Sequence, residues 1–352
     1  MLLDHYGLRE QPFGVTPNPR YLYLSPGHRE ALASLVYGVE SGRGFLALVA
    51  PPGMGKTTLL FQLLDRLGHS ARTVFLFQTQ CGARDFLRSL MADLGVRAGE
   101  DDQVVLQAKL NEILIKEMRA KRKFVLVVDE AQNLEDSALE FVRMLSNFET
   151  PRAKLMQIIL AGQPQLAEKL ARPAMVQLRQ RISMLIRLRP LEAAETAEYI
   201  EHRLRVAGHG GAPLFSGAAL AAIASESGGI PRNINNLCFN ALSLAYAAGR
   251  KTIDAATVQE VAADLDLRSC YAEALSPVAD EEGPRGGFPE EDRLQSEGWA
   301  VLLDRILAPS RDAGASSGFG FQRQATGRPS RGSGRERAEE LDAGHAGNRL
   351  MN

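Results

Sequence analysis

Apolar positions change period several times along the chain, and each change marks an element. Leu32, Leu35, Val36 and Val39 recur at helical spacing behind Ser25-Pro26, which reads as an N-cap with proline at the first helical position; the helix should end near Ser41-Gly42. Phe45 to Ala50 is continuously apolar, as in a strand buried on both faces, and Leu59 to Leu67 returns to helical spacing. The pattern then predicts a strand over Val74 to Phe77, a helix over Asp85 to Leu94 and a long helical segment over Asp101 to Lys123. A second continuous apolar run, Phe124 to Val128, suits a fully buried central strand. A helix (Glu135 to Ser146), a strand (Leu155 to Ala161), a helix-rich stretch to Ser183 and a last strand (Met184 to Leu188) follow. Strands alternating with helices predict an α/β domain with a parallel sheet flanked by helices.

Before this unit, Pro12-Phe13, Pro17-Asn18-Pro19, Tyr21 and Tyr23 carry turn and aromatic signals and read as an ordered extended arm. After Pro190 the pattern is wholly helical through Leu267, with breaks from Gly208 to Gly211 and from Gly228 to Pro231, which predicts a small all-helical domain. Beyond Ser269 the chain is rich in Gly, Ser, Pro, Arg and Glu and is expected to be mostly disordered. Within it, Asp292 to Leu307 is amphipathic around the single tryptophan, Trp299, and reads as a stray segment rather than a docking helix. The predicted organisation is an N-terminal arm and helix (1–43), an α/β core (44–189), a helical domain (190–268) and a tail (269–352).

Composition narrows the function classes. The 352 residues are 45% hydrophobic and 24% charged, as in a globular protein with a large core. With 41 basic and 42 acidic residues the formal net charge is −1, so no global field draws the chain to nucleic acid or membrane. The basic cluster Lys116, Arg119, Lys121, Arg122 and Lys123 reads as a solvated helix end whose cations complement the helix dipole, ahead of a nucleic-acid contact. Cys81, Cys238 and Cys270 show no metal-ligand spacing and read as buried or free thiols in a reducing compartment. His5, His28 and His202 likewise read as structural. With no basic start leading into an apolar stretch at the N-terminus, and no apolar run long enough to span a bilayer, a cytoplasmic location is expected.

The chemistry concentrates at Val49-Ala50-Pro51-Pro52-Gly53-Met54-Gly55-Lys56-Thr57-Thr58, a Gly-rich turn between a strand and a helix. Backbone N–H groups from Gly53 to Thr58 would converge on one spot where the helix dipole adds positive charge, so the expected occupant is an anion. Gly53 and Gly55 permit a close approach that a Cβ would block. Lys56 would reach the β- and γ-phosphates and Thr57 would hold Mg²⁺. Ala50 stands where such loops usually carry their first glycine, which is tolerable if its φ stays negative. Asp129-Glu130 closes the buried apolar run, at the carboxyl end of a strand, where ligands of open α/β sheets gather. Asp129 suits the Mg²⁺ shell, and Glu130 suits orienting and polarising an attacking water.

Residues Asp129-Glu130-Ala131-Gln132-Asn133-Leu134, the loop Ala50 to Thr57 and Gly162-Gln163-Pro164-Gln165-Leu166 together resemble the AAA+ superfamily. Within it the chain resembles the ExeA-type (general secretion pathway A) ATPases, which are related to origin-recognition and transposition ATPases. Tyr6-Gly7-Leu8, Pro12-Phe13, Pro17-Asn18-Pro19, Leu22-Tyr23-Leu24, His28-Arg29-Glu30-Ala31-Leu32 and Tyr37-Gly38 strengthen the likeness, which covers roughly residues 1 to 268. The resemblance implies a P-loop AAA+ core with a helical lid, ATP and Mg²⁺ as ligands, and oligomerisation. It places Gln163 as a sensor of the γ-phosphate, against the plainer reading of a helix-capping amide. It places an arginine finger that reaches a neighbour's ATP at Arg181, with Arg179 as alternate, against a surface ion pair. In Gly229-Ile230-Pro231-Arg232 it makes Arg232 a lid contact to the phosphates. Adenine is expected between arm and lid, with contacts left open among Phe13, Leu22, Tyr23 and their neighbours.

The resemblance thus implies a Mg-dependent ATPase driving or regulating an envelope secretion or exopolysaccharide assembly through a protein partner. The alternative is a DNA-binding ATP switch of the transposition or replication-initiation kind, favoured by the basic cluster and by Arg323, Arg328, Arg331, Arg335 and Arg337 in the tail. A nucleotide-binding scaffold without turnover is disfavoured by intact Lys56, Asp129 and Glu130. ExeA-type proteins often continue into a membrane helix and a peptidoglycan-binding domain; neither is legible here, so direct cell-wall engagement is not expected.

Overall fold

The computed structural model describes residues 1–14, 16, 18–77, 81–96, 102–151 and 153–266, all within one compact unit. The chain starts with α1 (Leu2–His5), then α2 (Pro26–Glu40), β1 (Phe45–Val49), α3 (Lys56–Leu67), β2 (Ala71–Leu76), α4 (Ala83–Asp93) and α5 (Gln103–Arg119). It continues through β3 (Lys123–Val128), α6 (Asp136–Leu145), a hairpin of β4 (Glu149–Thr150) and β5 (Ala153–Lys154), β6 (Gln157–Gly162), α7 (Pro164–Ala171), α8 (Val176–Arg179) and β7 (Met184–Arg187). Four helices close the described chain: α9 (Ala193–Val206), α10 (Gly217–Ser227), α11 (Pro231–Ala247) and α12 (Ala255–Leu265).

The sheet is parallel throughout, in the order β2-β3-β6-β1-β7. The continuous apolar runs became the inner strands: every residue of β1 and β6 is buried, as is all of β3 after Lys123. Helices cover both faces, so a strand there exposes no polar side and alternation disappears. The α2 helix starts as its sequence implies, with the Ser25 hydroxyl accepting from the His28 N–H at 3.3 Å.

Several boundaries shift by one to three residues from the sequence expectation, β2 starting at Ala71 where Val74 was expected, and two differences have a clear physical cause. The helix expected to run from Asp101 to Lys123 stops at Arg119, because Lys121 adopts a left-handed φ of 56°. The Arg122 N–H then donates to the Glu117 carbonyl and the Lys121 N–H to the Met118 carbonyl, a Schellman closure built without glycine. Two of the five clustered cations are spent on folding: Arg122 pairs with buried Glu117 at 2.6 Å, and the Lys123 ammonium caps the end of α2 on the carbonyls of Val39 (2.9 Å) and Glu40. In the helical part, a third break between α11 and α12 centres on Gly249, φ 70°, beyond the two glycine clusters foreseen.

The arm is less extended than expected: α1 and a short 3₁₀ turn at Pro19–Tyr21 punctuate it, and its apolar side chains join the core of the C-terminal helices. Phe13 packs edge-on against Phe215, the Tyr6 hydroxyl donates to the Leu242 carbonyl, and the Arg9 N–H donates to the Ala207 carbonyl. Cys238 is buried in that core and Cys81 is half-buried beside the sheet. Cys270, Trp299 and the whole 269–352 tail lie outside the described residues. Among the described residues no helix is long and apolar enough to cross a membrane.

Candidate functional site

The strand order decides what meets at the carboxyl edge of the sheet. With β6 inserted between β1 and β3, the loop after β1, Asp129-Glu130 after β3 and Gln163 after β6 emerge side by side. They bound a cleft of about 230 Å³ whose phosphate-loop lining runs from Pro52 to Thr58, with Glu130, Gln163 and Arg232 around it. Ala50 and Pro51 sit behind this lining; Ala50 is buried and is not among the described non-glycine residues of positive φ.

Gly55, φ 84°, forms the N-cap of α3, so the first N–H groups of that helix lack intrahelical partners and face the loop's concavity. Lys56 is buried, its ammonium donating to the carbonyls of Ala50 (3.0 Å) and Pro51 (3.3 Å). Burial pushes its pKa down and the added charge of Arg232 pushes the same way, while Glu130 and Asp129 oppose them. The Thr57 hydroxyl donates to Asp129 Oδ2 at 2.6 Å. Burial raises the pKa of Asp129 against the hydrogen bonds from Thr57 and the Glu130 N–H. The two adjacent oxygens fit Mg²⁺, which takes one or two protein oxygens and completes its shell with water and phosphate.

Glu130 has the left-handed φ of 52°, an unusual backbone state for a non-glycine residue. Its Oε2 accepts from Gln132 Nε2 at 2.6 Å and from Gln163 Nε2 at 3.0 Å. Gln132 is fixed in turn, because its Oε1 accepts the Gln163 N–H at 3.1 Å. Burial pushes the Glu130 carboxyl pKa up, but the two amide donors and the charges of Lys56 and Arg232 outweigh it and bring it below the ordinary value. Gln132 was not singled out in the sequence; its signal lay in the same Asp129–Leu134 loop. Gly162 makes the arrangement possible, since a Cβ there would stand 2.7 Å from Gln132 Oε1.

Ile230 and Arg232, at the start of α11, pack over the glycine-rich loop. The Arg232 N–H donates to the Gly53 carbonyl at 3.2 Å, and a Cβ on Gly53 would meet the Arg232 Cβ at 2.7 Å and Ile230 Cγ2 at 3.1 Å. Gly53 also sits at φ 83°, so Gly53→Ala adds roughly 1–2 kcal/mol of left-handed strain to that overlap. Nucleotide affinity is expected to fall by about 5- to 30-fold or more in Gly53→Ala, read by calorimetric titration; unchanged affinity would show that lid and loop need not touch.

His28 ties the same loop to α2. Its Nε2 lies 3.0 Å from the Met54 carbonyl, which can only accept, so Nε2 carries the proton and Nδ1 receives the Ser25 hydroxyl at 2.8 Å. Burial holds its pKa below 6.5, against the Met54 bond and the charge of Glu195. A depressed histidine pKa means the unfolded chain binds the proton first, so stability is full above about pH 6.5 and declines as pH falls below it. Melting temperature is expected to drop between about pH 7 and about pH 5, and His28→Asn to flatten part of that slope. His202, lowered by burial and by Arg205 and Arg203, contributes in the same direction. An unaltered slope in His28→Asn would remove this role.

Arg181 is not brought into the cleft. It lies before β7 at the amino edge of the sheet, donating to the Ser146 hydroxyl (2.7 Å) and to Asn147 Oδ1 (2.5 Å). Arg179 is exposed at the end of α8. Of the adenine candidates, Leu22 and Tyr23 line the cleft, whereas Phe13 is buried in the helical core away from it.

Residues 39–170 match the AAA domain family. The chain is 39% identical over 254 residues to general secretion pathway protein A of Aeromonas hydrophila, an alignment covering 72% of this chain and 46% of that protein, so it spans less than half of that relative. Among solved structures the fold is similar to the ORC2 protein of Aeropyrum pernix in ADPNP–ADP complexes, with TM-score 0.56 and 16% identity over 72% of this chain and 71% of that one. It is also similar to Drosophila ORC bound to DNA, with TM-score 0.53 and 19% identity over 75% and 66% of the two chains.

Proposed function

We propose that this chain, whose residues 39–170 match the AAA domain family, is a Mg²⁺-dependent ATPase of the AAA+ superfamily that works as an oligomer in the cytoplasm. The observation that carries the reading is the 2.6 Å bond between Thr57 and Asp129, beside a Glu130 carboxylate held by two glutamine amides. Phosphate-loop N–H groups and Lys56 would hold the β- and γ-phosphates, and Thr57 with Asp129 would hold Mg²⁺. Bound there, Mg²⁺ would supply charge neutralisation on the phosphate oxygens.

The chain's own residues account for the remaining work. Glu130, lowered in pKa and therefore ionised at neutral pH, would orient a water and accept its proton. Gln132 and Gln163 would fix where that carboxylate points, and Gln163 would register the γ-phosphate from the same position. Arg232 would reach the phosphates from the lid, coupling lid angle to nucleotide state through its backbone contact with Gly53. Arg181, at the far edge of the sheet from its own cleft, is in a position to serve a neighbour's site.

The similarity to general secretion pathway protein A supports work for an envelope secretion or exopolysaccharide assembly, carried out through a protein partner. The second reading, an ATP switch assembled on DNA, is favoured by exposed Lys116, Arg119 and Lys121 and by the fold shared with Drosophila ORC bound to DNA. Steady-state ATP turnover against protein concentration, with and without long duplex DNA, separates them. Turnover that rises with protein concentration and ignores DNA supports the self-assembling ATPase with a protein partner. A several-fold, salt-sensitive rise with DNA would move the protein to the second reading. Binding without measurable turnover under either condition would leave only a nucleotide-binding scaffold.

A further inference from the structure

The core builds the phosphate end of the cleft, while arm and lid wall its other end with Tyr21, Tyr23, Leu191, Tyr199, Arg203 and Asn235. A hydrogen-bond chain of fixed polarity runs inside that wall. Arg203 has donors only: its Nε donates to the Pro12 carbonyl at 2.6 Å and its Nη1 to the Tyr199 hydroxyl at 2.9 Å. Having accepted from Arg203, the Tyr199 hydroxyl donates its own proton to Asn235 Oδ1 at 3.0 Å. The polarity of the chain therefore assigns the amide: oxygen towards Tyr199, nitrogen away from it.

Asn235 Nδ2 makes no hydrogen bond to any described residue, yet it is not among the buried polar atoms sealed from solvent. The residue is only 8% exposed, and it lines the cleft. A donor that opens onto the cleft without a protein acceptor is left available to an acceptor brought by the ligand. The surrounding wall is aromatic, with the Arg203 guanidinium over the Tyr21 ring at 4.8 Å and over the Tyr199 ring at 5.5 Å. An aromatic wall carrying a directed donor suits a flat heteroaromatic ring with an acceptor nitrogen.

We infer that Asn235 is a specificity-determining residue that reads the nucleobase, its Nδ2 donating to an acceptor nitrogen of the purine ring, with Tyr199 and Arg203 as the positioning residues that set its orientation. The inference rests on the nucleotide site proposed above. It makes the arm part of base recognition, since Pro12 anchors the chain of donors from a position 191 residues from Arg203 in the sequence.

The test is a panel of affinities measured by calorimetry on the full chain carrying Glu130→Gln, so that the ligand survives: ATP, its 1-deaza, 3-deaza and 7-deaza analogues, and 2′-deoxyATP. One deaza analogue is expected to bind about 3- to 10-fold more weakly than ATP, the size of one neutral hydrogen bond. That difference should vanish in Asn235→Asp, whose carboxylate oxygens only accept, and shrink in Tyr199→Phe, which leaves the amide free to turn. If Asn235→Asp does not fold, the Tyr199→Phe panel decides. Equal binding of all three deaza analogues, or a deaza penalty that persists in both variants, overturns the inference. So does a penalty abolished by Asn235→Asp only for 2′-deoxyATP, which would assign the amide to the ribose. Failure of the underlying site reads differently: ATP affinity that is absent, or insensitive to Lys56→Ala, removes the nucleotide site and the inference together.

Discussion

Glu130→Gln is expected to lower ATP turnover by about 10²- to 10⁴-fold, the contribution of a positioned general base, while ATP affinity changes little. The expectation follows from what the carboxylate touches. Its Oε2 accepts from Gln132 and Gln163, and a glutamine at 130 keeps one acceptor oxygen for them, in bonds weakened by the loss of charge but not abolished. What it loses is the lowered-pKa carboxylate that keeps a proton acceptor at neutral pH. The phosphate contacts proposed for Lys56 and the loop N–H groups would be untouched. Single-turnover hydrolysis beside calorimetric binding separates the two effects. Turnover within a few-fold of the unaltered chain would mean that Glu130 is not the base, and the αL backbone at that residue would need another explanation.

That αL residue also marks where the sequence stopped being legible. The α/β alternation, the parallel sheet and the Gly-rich loop could be read because each is written locally: a continuous apolar run for an inner strand, two glycines and a lysine for an anion cradle. Glu130 could be paired with the loop on chemistry alone. Its amide partner Gln163 could not be joined to it, because Gln163 lies 33 residues on and reaches Glu130 only through the insertion of β6 between β1 and β3. The same reason hid the Arg203–Tyr199–Asn235 chain, whose anchor at Pro12 is set by the arm folding onto the last helices. The end of α5 escaped for a different reason: a Schellman closure usually announces itself with glycine, and here Lys121 takes the left-handed position. Lys123, read as a surface cation, is instead a cap for α2, a role visible only once β3 is placed beside that helix end.

Arg181→Ala is expected to reduce turnover by about 10³-fold or more, within the range an arginine finger contributes to phosphoryl transfer, with nucleotide affinity per subunit preserved. A planar guanidinium that is never deprotonated neutralises charge spreading over the phosphoryl oxygens, which a neutral side chain cannot do. In this subunit Arg181 spends donors on Ser146 and Asn147, away from the cleft, so its catalytic effect must be exerted across an interface or not at all. Mixing decides between these. Chains carrying Glu130→Gln keep Arg181, and chains carrying Arg181→Ala keep Glu130; each alone should be nearly inactive. In a mixture, an Arg181→Ala chain beside a Glu130→Gln chain again has a base of its own and a finger from its neighbour, so activity should return to a substantial fraction of normal. Arg179→Ala should leave turnover near normal if Arg181 is the finger. Recovery without Arg181→Ala having lowered turnover would be meaningless, so the single variants are measured first. If Arg181→Ala is inactive and the mixture stays silent, the loss comes from the structure that Arg181 holds at the end of α6 and not from a catalytic contact, and the trans assignment fails.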